Sequence, residues 1–383
     1  MTSSSRTALL ACLLALAPTL SSAQPASDAP TQPLTLADAV SRAVAASHRV
    51  AEAMARNDGA AAAVASRHAA TKPQIAGVAG YTRTNHVDEF GILLPNNQLR
   101  VIYPDIPDNA RARLDVQWPV YTSGRLQAIE SAARLDQNAA GRDVTTAEAD
   151  VRLDVTRAFW NLVVARETAR VVSESLARMT EHLRDVRNQL DAGLVPPNEV
   201  LTTQAQEARQ RMLSIQAQTA RDMAEADLAR LVEWPSGSHI EPMATLEPPS
   251  MTATVDALVA EARDARPERK ALLDRVAAAQ TRQRAALLGH RPTVAIAGGV
   301  DYARPNPRIF PRLADWRESW DAGVNVSWPL FDGGRTKAEA AEASAGVRAL
   351  QARLAEFDSV VALEIRQRMS ELASSRAALD AAD

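Results

Sequence analysis

Val116-Gln117-Trp118-Pro119-Val120-Tyr121-Thr122-Ser123-Gly124-Arg125 returns later in the chain as Val326-Ser327-Trp328-Pro329-Leu330-Phe331-Asp332-Gly333-Gly334-Arg335. The shared pattern is V-x-W-P, an apolar residue, an aromatic, two free positions and G-R, with 210 residues from Trp118 to Trp328. Upstream of each copy apolar and polar residues alternate, and downstream lies a long Ala-rich segment without proline. Alternation marks a strand with two unlike faces, and an unbroken proline-free run marks a helix. Proline has no N–H for a ladder and glycine frees the backbone, so the strand is expected to stop at the joint and a helix to begin. A strand–helix junction used twice is the mark of an internal duplication. Trp118, Pro119 and Gly124, with Trp328, Pro329, Gly333 and Gly334, are the residues that build it.

At the start of the chain, residues 1–23 read as a secretory signal. Arg6 supplies the positive region, Ala8 to Leu20 the apolar core, and Ser21-Ser22-Ala23 a small-residue cleavage site. The apolar run is shorter than the roughly 20 residues of a spanning helix. Cys12, the only cysteine, follows Leu9-Leu10-Ala11 in a loose version of a lipid-attachment box, but the apolar run continues past it and lipidation is not expected. With the signal removed no thiol remains for disulfides or metal ligation. The chain is 46% hydrophobic but only 4% aromatic, which suits Ala- and Leu-rich helices. A net charge of −3 offers no basic excess for nucleic acid. Beyond the signal no run of 18 apolar residues occurs, so entry into a membrane would have to be as a barrel.

The mature chain divides into a Pro-rich leader (24–33), a first repeat (34–250) and a second repeat (251–383). In the first, Thr35 caps a helix expected over 36–71 and ended by Pro73. Strands are expected at 74–84 and around Leu114 to Val120, joined by a long polar loop. The helix from Arg125 meets no stop before Gly193, some 65 residues or roughly 100 Å. Its second half carries a heptad seam: Ala158, Leu162, Ala165, Ala169, Val172, Leu176, Met179, Leu183, Val186 and Leu190. After the turn Gly193-Leu194-Val195-Pro196-Pro197-Asn198, a return helix over 199–232 continues the seam with Leu201, Ala205, Ala208, Met212, Ile215 and Thr219. An irregular connector, 233–250, leads to the second copy.

There, Pro292 stands 219 residues after Pro73. Strands follow at Val294 to Tyr302 and at Ala322 to Leu330, then a helix from Arg335 that keeps Leu354, Val361, Ile365 and Leu372 in register with Val144, Val151, Val155 and Leu162. Asp383 matches Ser173, so roughly 75 residues of the repeat plan have no counterpart. The chain therefore reads as a truncated product, with Val347, Leu350, Leu354 and Val361 expected to be partly exposed.

Signal, helix, strand hairpin, W-P-[VL]-[YF]-x-x-G-R junction, long helix and G-L-V-P-P-x-x-V-L turn together resemble the outer-membrane efflux (TolC-like) family over residues 34–383. The resemblance implies a mainly α protein with β: long antiparallel coiled-coil helices and four barrel strands per protomer in two structural repeats. It further implies a homotrimeric channel-tunnel, with a barrel of about 12 strands in the outer membrane and a helical tube in the periplasm. Export is passive, driven by an inner-membrane pump through a periplasmic adaptor. Independently of kinship, four strands cannot close a barrel and an open edge in lipid leaves backbone groups unpaired, so more than one protomer is needed. Alternation assigns Ile75, Val116, Val294 and Val326 to lipid and Gln74, Gln117, Thr293 and Asn325 to the lumen. Trp118 and Trp328 suit the periplasmic interface, where tryptophan is enriched. Gly193, Leu194, Val195 and Pro196, at the tip, are the expected adaptor contact. Nothing points to an enzyme, a cofactor or a metal site: the six histidines are scattered, with no phosphate loop, nucleophile elbow or HExxH. A periplasmic adaptor shares the signal and a helical hairpin, and a purely structural coiled coil shares the helices; neither accounts for a Trp-Pro junction used twice. The cargo is not legible in the lumen residues.

Overall fold

A computed structural model describes residues 31–245 and 253–382. The signal segment, Cys12, most of the leader and part of the connector lie outside the described residues. In chain order the elements are β1 (Thr31–Thr35), α1 (Leu36–Ala46), α2 (His48–Ala69), β2 (Gln74–Arg83), β3 (Phe90–Leu93), β4 (Leu99–Tyr103), β5 (Asp108–Tyr121), α3 (Arg125–Asp191), α4 (Pro197–Leu231), β6 (His239–Met243), α5 (Val255–Ala265), α6 (Pro267–Leu287), β7 (Thr293–Arg304), β8 (Arg317–Ser327) and α7 (Arg335–Ala382). They sort into two compact units. Among the described residues one holds 31–42 and Val155–Thr245, the other Ala43–Asp154 and 253–382.

In the first unit the second part of α3 turns back into α4. The outward seam is as the heptads require: Ala158, Leu162, Ala169, Leu183 and Val186 are buried. The return seam is not. Val200, Thr203, Glu207, Ala217 and Leu228 are the buried positions of α4, whereas Leu201, Met212 and Ile215 are exposed, as are Ala205, Ala208 and Thr219. The seam therefore uses a small and polar face, in which the Thr180 hydroxyl donates to Glu207 at 3.3 Å and the Gln210 amide to the Val172 carbonyl at 3.4 Å. Periodicity locates an apolar stripe but not which neighbour covers it.

The connector is also more ordered than its composition suggests. β6 pairs in parallel with β1, from Thr31 opposite His239 to Thr35 opposite Met243. Leu34 and Ile240 are buried, as are Phe159, Leu162, Leu228 and Val232 of the same unit, all at most 2% exposed. Arg166 donates to the Ile240 carbonyl at 2.8 Å and pairs with Glu241. The Thr35 hydroxyl accepts the Asp38 N–H at 3.1 Å and donates to the Asp38 carboxylate at 2.7 Å, a reciprocal cap that starts α1.

In the second unit, the helix expected over 36–71 is interrupted. Ser47 adopts an extended conformation and its Oγ accepts from the Val50 N–H, capping α2 anew. α6 is buried along Ala271, Leu272, Val276, Ala278 and Ala285. Ion pairs fasten it on both sides, to α3 through Arg142–Asp274 (2.7 Å) and Arg275–Asp143, and to α7 through Arg269–Asp358 (2.8 Å). This cover corrects the expectation for two positions of α7, Val347 and Val361, which are only 7% and 2% exposed; Leu350 and Leu354 are partly exposed, as expected.

The same unit carries an antiparallel sheet of order β2-β5-β7-β8. Ile75 lies opposite Val116 and Gln74 opposite Gln117; Val294 lies opposite Val326 and Thr293 opposite Ser327. The two hairpins thus share one register under the offsets of 219 and 210, residue for residue. The polar loop of the first hairpin contains a further small hairpin, β3–β4. In the first copy the Trp-Pro joint does not end the strand: β5 runs on to Tyr121, with Pro119 opposite Ala295 at a bulge against β7. The residue the bulge leaves outside the ladder is Val120, directly after Pro119, so the proline sits beside a local break in the pairing. In the second copy β8 stops at Ser327, ahead of Trp328-Pro329.

Candidate functional site

Each strand of the sheet has two faces, and pairing carries each face across all four strands. Ile75, Leu114, Val116, Trp118, Val294, Ile296, Val300, Tyr302, Val324 and Val326 share one face. Most of their side chains are exposed, up to 68% for Ile75 and 67% for Val326. Gln74, Gln117, Thr293 and Asn325 all fall on the other face.

That second face holds an ion lattice centred on Arg113. Its guanidinium donates to Asp115 at 2.6 Å and reaches Asp321 at 2.9 Å and Asp301. Asp301, with its side chain 3% exposed, also accepts from Arg111 at 2.5 Å. Gly299 makes room for this: a Cβ there would lie 2.7 Å from an Arg113 nitrogen and from the Leu114 carbonyl. The segment linking β7 and β8 folds onto the same face. Arg308 donates to Asp321 at 2.8 Å and to the Trp320 carbonyl at 2.7 Å. Asn306, 2% exposed, donates to the Arg317 carbonyl at 2.9 Å. Arg312 reaches the Tyr103 hydroxyl of the β3–β4 hairpin at 2.7 Å. A cavity of about 550 Å³ remains between this segment and the strands, lined by Thr82, Arg111, Arg113, Asp115, Pro305 and Arg312 among others. Sequence reasoning missed the lattice because its members lie on three strands far apart in the chain.

The junctions are built alike. Thr122–Arg125 and Asp332–Arg335 each close with an N–H to carbonyl bond, at 2.9 and 3.3 Å. Positive φ occurs at both central residues, 53° and 84° for Ser123 and Gly124, 66° and 88° for Gly333 and Gly334. This is the primed type I turn, which favours glycine. Ser123 is held in it by its hydroxyl, which donates to the Pro292 carbonyl at 2.7 Å. In the second copy the Asp332 carboxylate accepts from Thr336 N–H (2.9 Å), Thr336 Oγ1 (2.5 Å) and Gly334 N–H (3.0 Å). These bonds, the Thr336 hydroxyl foremost, hold its pKa below the usual carboxylate range. The Trp118 indole N–H donates to the Thr71 carbonyl at 3.2 Å, tying β5 to the end of α2.

At the helical tip, Gly193 (φ 74°) donates to the Leu190 carbonyl and Leu194 to that of Gln189, both at 2.9 Å. That is a Schellman cap. Pro196 precedes α4 and Pro197 opens it, where the missing N–H costs nothing. Leu194 is 75% exposed. Val195 is not: it packs with Leu190 on the cluster Leu183, Val186 and Val200, so the expectation that it is displayed beside Leu194 is corrected.

An exposed apolar face backed by an ion-paired polar one inverts the pattern of a sheet in water and is the pattern of strands facing lipid. No helix among the described residues is long and apolar enough to cross a membrane. Fold and site define a membrane channel subunit of barrel strands and coiled-coil helices. The chain belongs to the outer membrane efflux protein family, whose sequence profile matches residues 39–232. It is an outer-membrane efflux channel component that extends into the periplasm, in a family of transport channels. Among solved structures it is similar to CusC (17% identity, TM-score 0.70, covering 91% of this chain and 79% of that one). It is also similar to the Campylobacter jejuni CmeC outer membrane channel (14%, 0.69, 88% and 71%) and to the outer membrane protein VceC of Vibrio cholerae (19%, 0.68, 90% and 80%). No curated protein sequence matches the chain significantly.

Proposed function

We propose that three copies join their four-stranded sheets into one barrel, with Gln74, Gln117, Thr293 and Asn325 lining the lumen and the apolar face meeting lipid. The barrel is a passive exit for solutes delivered by an inner-membrane pump. A periplasmic adaptor engages the tip Gly193–Pro196, with Leu194 as the residue it covers. The observation that carries this reading is the inverted sheet with two open edges: among the described residues β2 pairs only with β5, and β8 only with β7. In hydrocarbon each unsatisfied backbone group costs several kcal/mol, so the edges demand partners. Leu194→Asp tests the tip. It is expected to leave a detergent-resistant trimer in the outer-membrane fraction while export by the cognate pump is lost. Export at the unmodified level would refute the assignment of the tip, and a monomer in the unmodified chain would refute the barrel.

A further inference from the structure

The internal repeat contains a second piece of geometry. Within the chain, the second strand of copy one pairs with the first strand of copy two, with Trp118 opposite Ile296, Val116 opposite Gly298, Leu114 opposite Val300 and Tyr121 opposite Val294. The second strand of copy two, β8, has no such neighbour among the described residues, and neither does the outer edge of β2. Because the hairpins superpose under fixed offsets, the β5–β7 ladder can be carried forward by the same offsets. Resting on the trimeric reading above, we propose that β8 pairs antiparallel with β2 of the next copy in the register β5 already uses with β7. Trp328 then lies opposite Gly77, Val326 opposite Ala79, Asn325 opposite Gly80, Val324 opposite Tyr81, and Phe331 opposite Ile75 of the next copy.

Three further observations agree with this register. It puts Val324 and Val326 against Tyr81 and Ala79 on the apolar face, and Asn325 against Gly80 on the polar one, so no strand is turned over. Phe331 is 91% exposed whereas its counterpart Tyr121, with β7 beside it, is 53% exposed. The difference is apolar surface that a neighbouring strand covers. Finally, β5 continues through its Trp-Pro joint where β7 accompanies it, and β8 stops short at Ser327. In the assembled barrel β8 extends to Phe331 as β5 does to Tyr121.

The same transfer shows that the two kinds of seam differ. Arg113 maps to Gly323, Arg111 to Asp321, Asp115 to Asn325 and Asp301 to Thr82. The ion lattice therefore closes the seam inside each chain and has no counterpart between chains, where Gly80 and Gly323 stand in place of Gly299 and Arg113.

Disulfide trapping tests the register in the full chain carrying Cys12→Ser. Directly opposed residues of an antiparallel pair have Cα atoms about 4.5 or 5.5 Å apart, within disulfide reach. Val324→Cys with Tyr81→Cys, and Asn325→Cys with Gly80→Cys, sample both classes of opposed pair. Leu114→Cys with Val300→Cys is the intrachain control and gives no added mass. Shifted pairs combine Val324→Cys with Ala79→Cys or Arg83→Cys. Covalent dimers and trimers on non-reducing gels are expected at least about tenfold more from the in-register pairs than from the shifted ones. Stronger linkage in a shifted pair, or none in any pair while the outer-membrane oligomer is intact, overturns the register and leaves the channel reading standing. A chain that forms no oligomer at all overturns both.

Discussion

Val324→Arg separates a lipid-facing sheet from one in water, because the two settings give different outcomes. Val324 is 65% exposed on the apolar face, so arginine there meets no steric obstacle and removes little packing within the protomer. In water such a substitution falls within about 0.5 kcal/mol of neutral. In a barrel the cost is about 2–4 kcal/mol at the bilayer midplane and falls toward zero at the interfaces. With β8 continuing through Trp328 in the assembled barrel, Val324 lies four residues from that expected interface residue, roughly 13 Å along the strand. That depth is intermediate, so about 2 kcal/mol per copy is expected, or roughly thirtyfold in the folded fraction at about 1.4 kcal/mol per decade. Asn325→Arg, one residue along and on the polar face, is the control and is expected to be tolerated. The assay is heat modifiability on gels, with the amount recovered in the outer-membrane fraction. Equal damage from the two substitutions, or none from either, would refute the assignment of the faces.

Other outcomes follow from the same structure. Val195→Asp, unlike Leu194→Asp, should destabilise the hairpin tip, because Val195 packs on Leu183, Val186 and Val200; limited proteolysis near residue 195 reads this. Phe159→Ala, at a site with 0% exposure, should cost about 3–5 kcal/mol and lower the thermal midpoint seen by helix dichroism. Asp332 has a folded pKa lowered by its bonds to Thr336, so its contribution is present above the unfolded carboxylate pKa and is lost as pH falls through the lowered value. Acid titration of the junction should therefore lose one transition in Asp332→Asn, and an unchanged profile would remove Asp332 as its cause.

Much of this architecture is legible in the sequence because it is written in local period. The Gly193 turn, the outward heptads and the four long strands each follow from residues adjacent in the chain. The misses share a cause: their partners are remote. β1 and β6 each offer one inward apolar residue and a proline, Pro33 or Pro242, and acquire strand character only by finding each other across the chain. The stripe Leu201–Met212–Ile215 has the right spacing and the wrong neighbour, since α4 turns Thr203 and Glu207 inward instead. Val195 carries no mark in the sequence to distinguish it from Leu194; only the Schellman geometry turns one inward and the other out. Alternation alone places Gln74, Gln117, Thr293 and Asn325 on the polar face, yet the lattice around Arg113 on that face has no sequence signature.

The seam between β5 and β7 also sets an order of events in time. Each hairpin closes over its own connecting segment, 84–107 in the first copy and 305–316 in the second, but Arg111 and Asp301 are 190 residues apart in the chain, and the whole helical hairpin lies between them. Contacts between such distant residues are slow to form, because loop-closure entropy must be met before they stabilise anything. The hairpins can therefore form early and separately, while the ion lattice that joins them comes late, after the helices have brought their ends together. A half-built subunit then has two extra bare strand edges in the middle of its sheet, and closing that seam is the event that makes it ready to accept a neighbour.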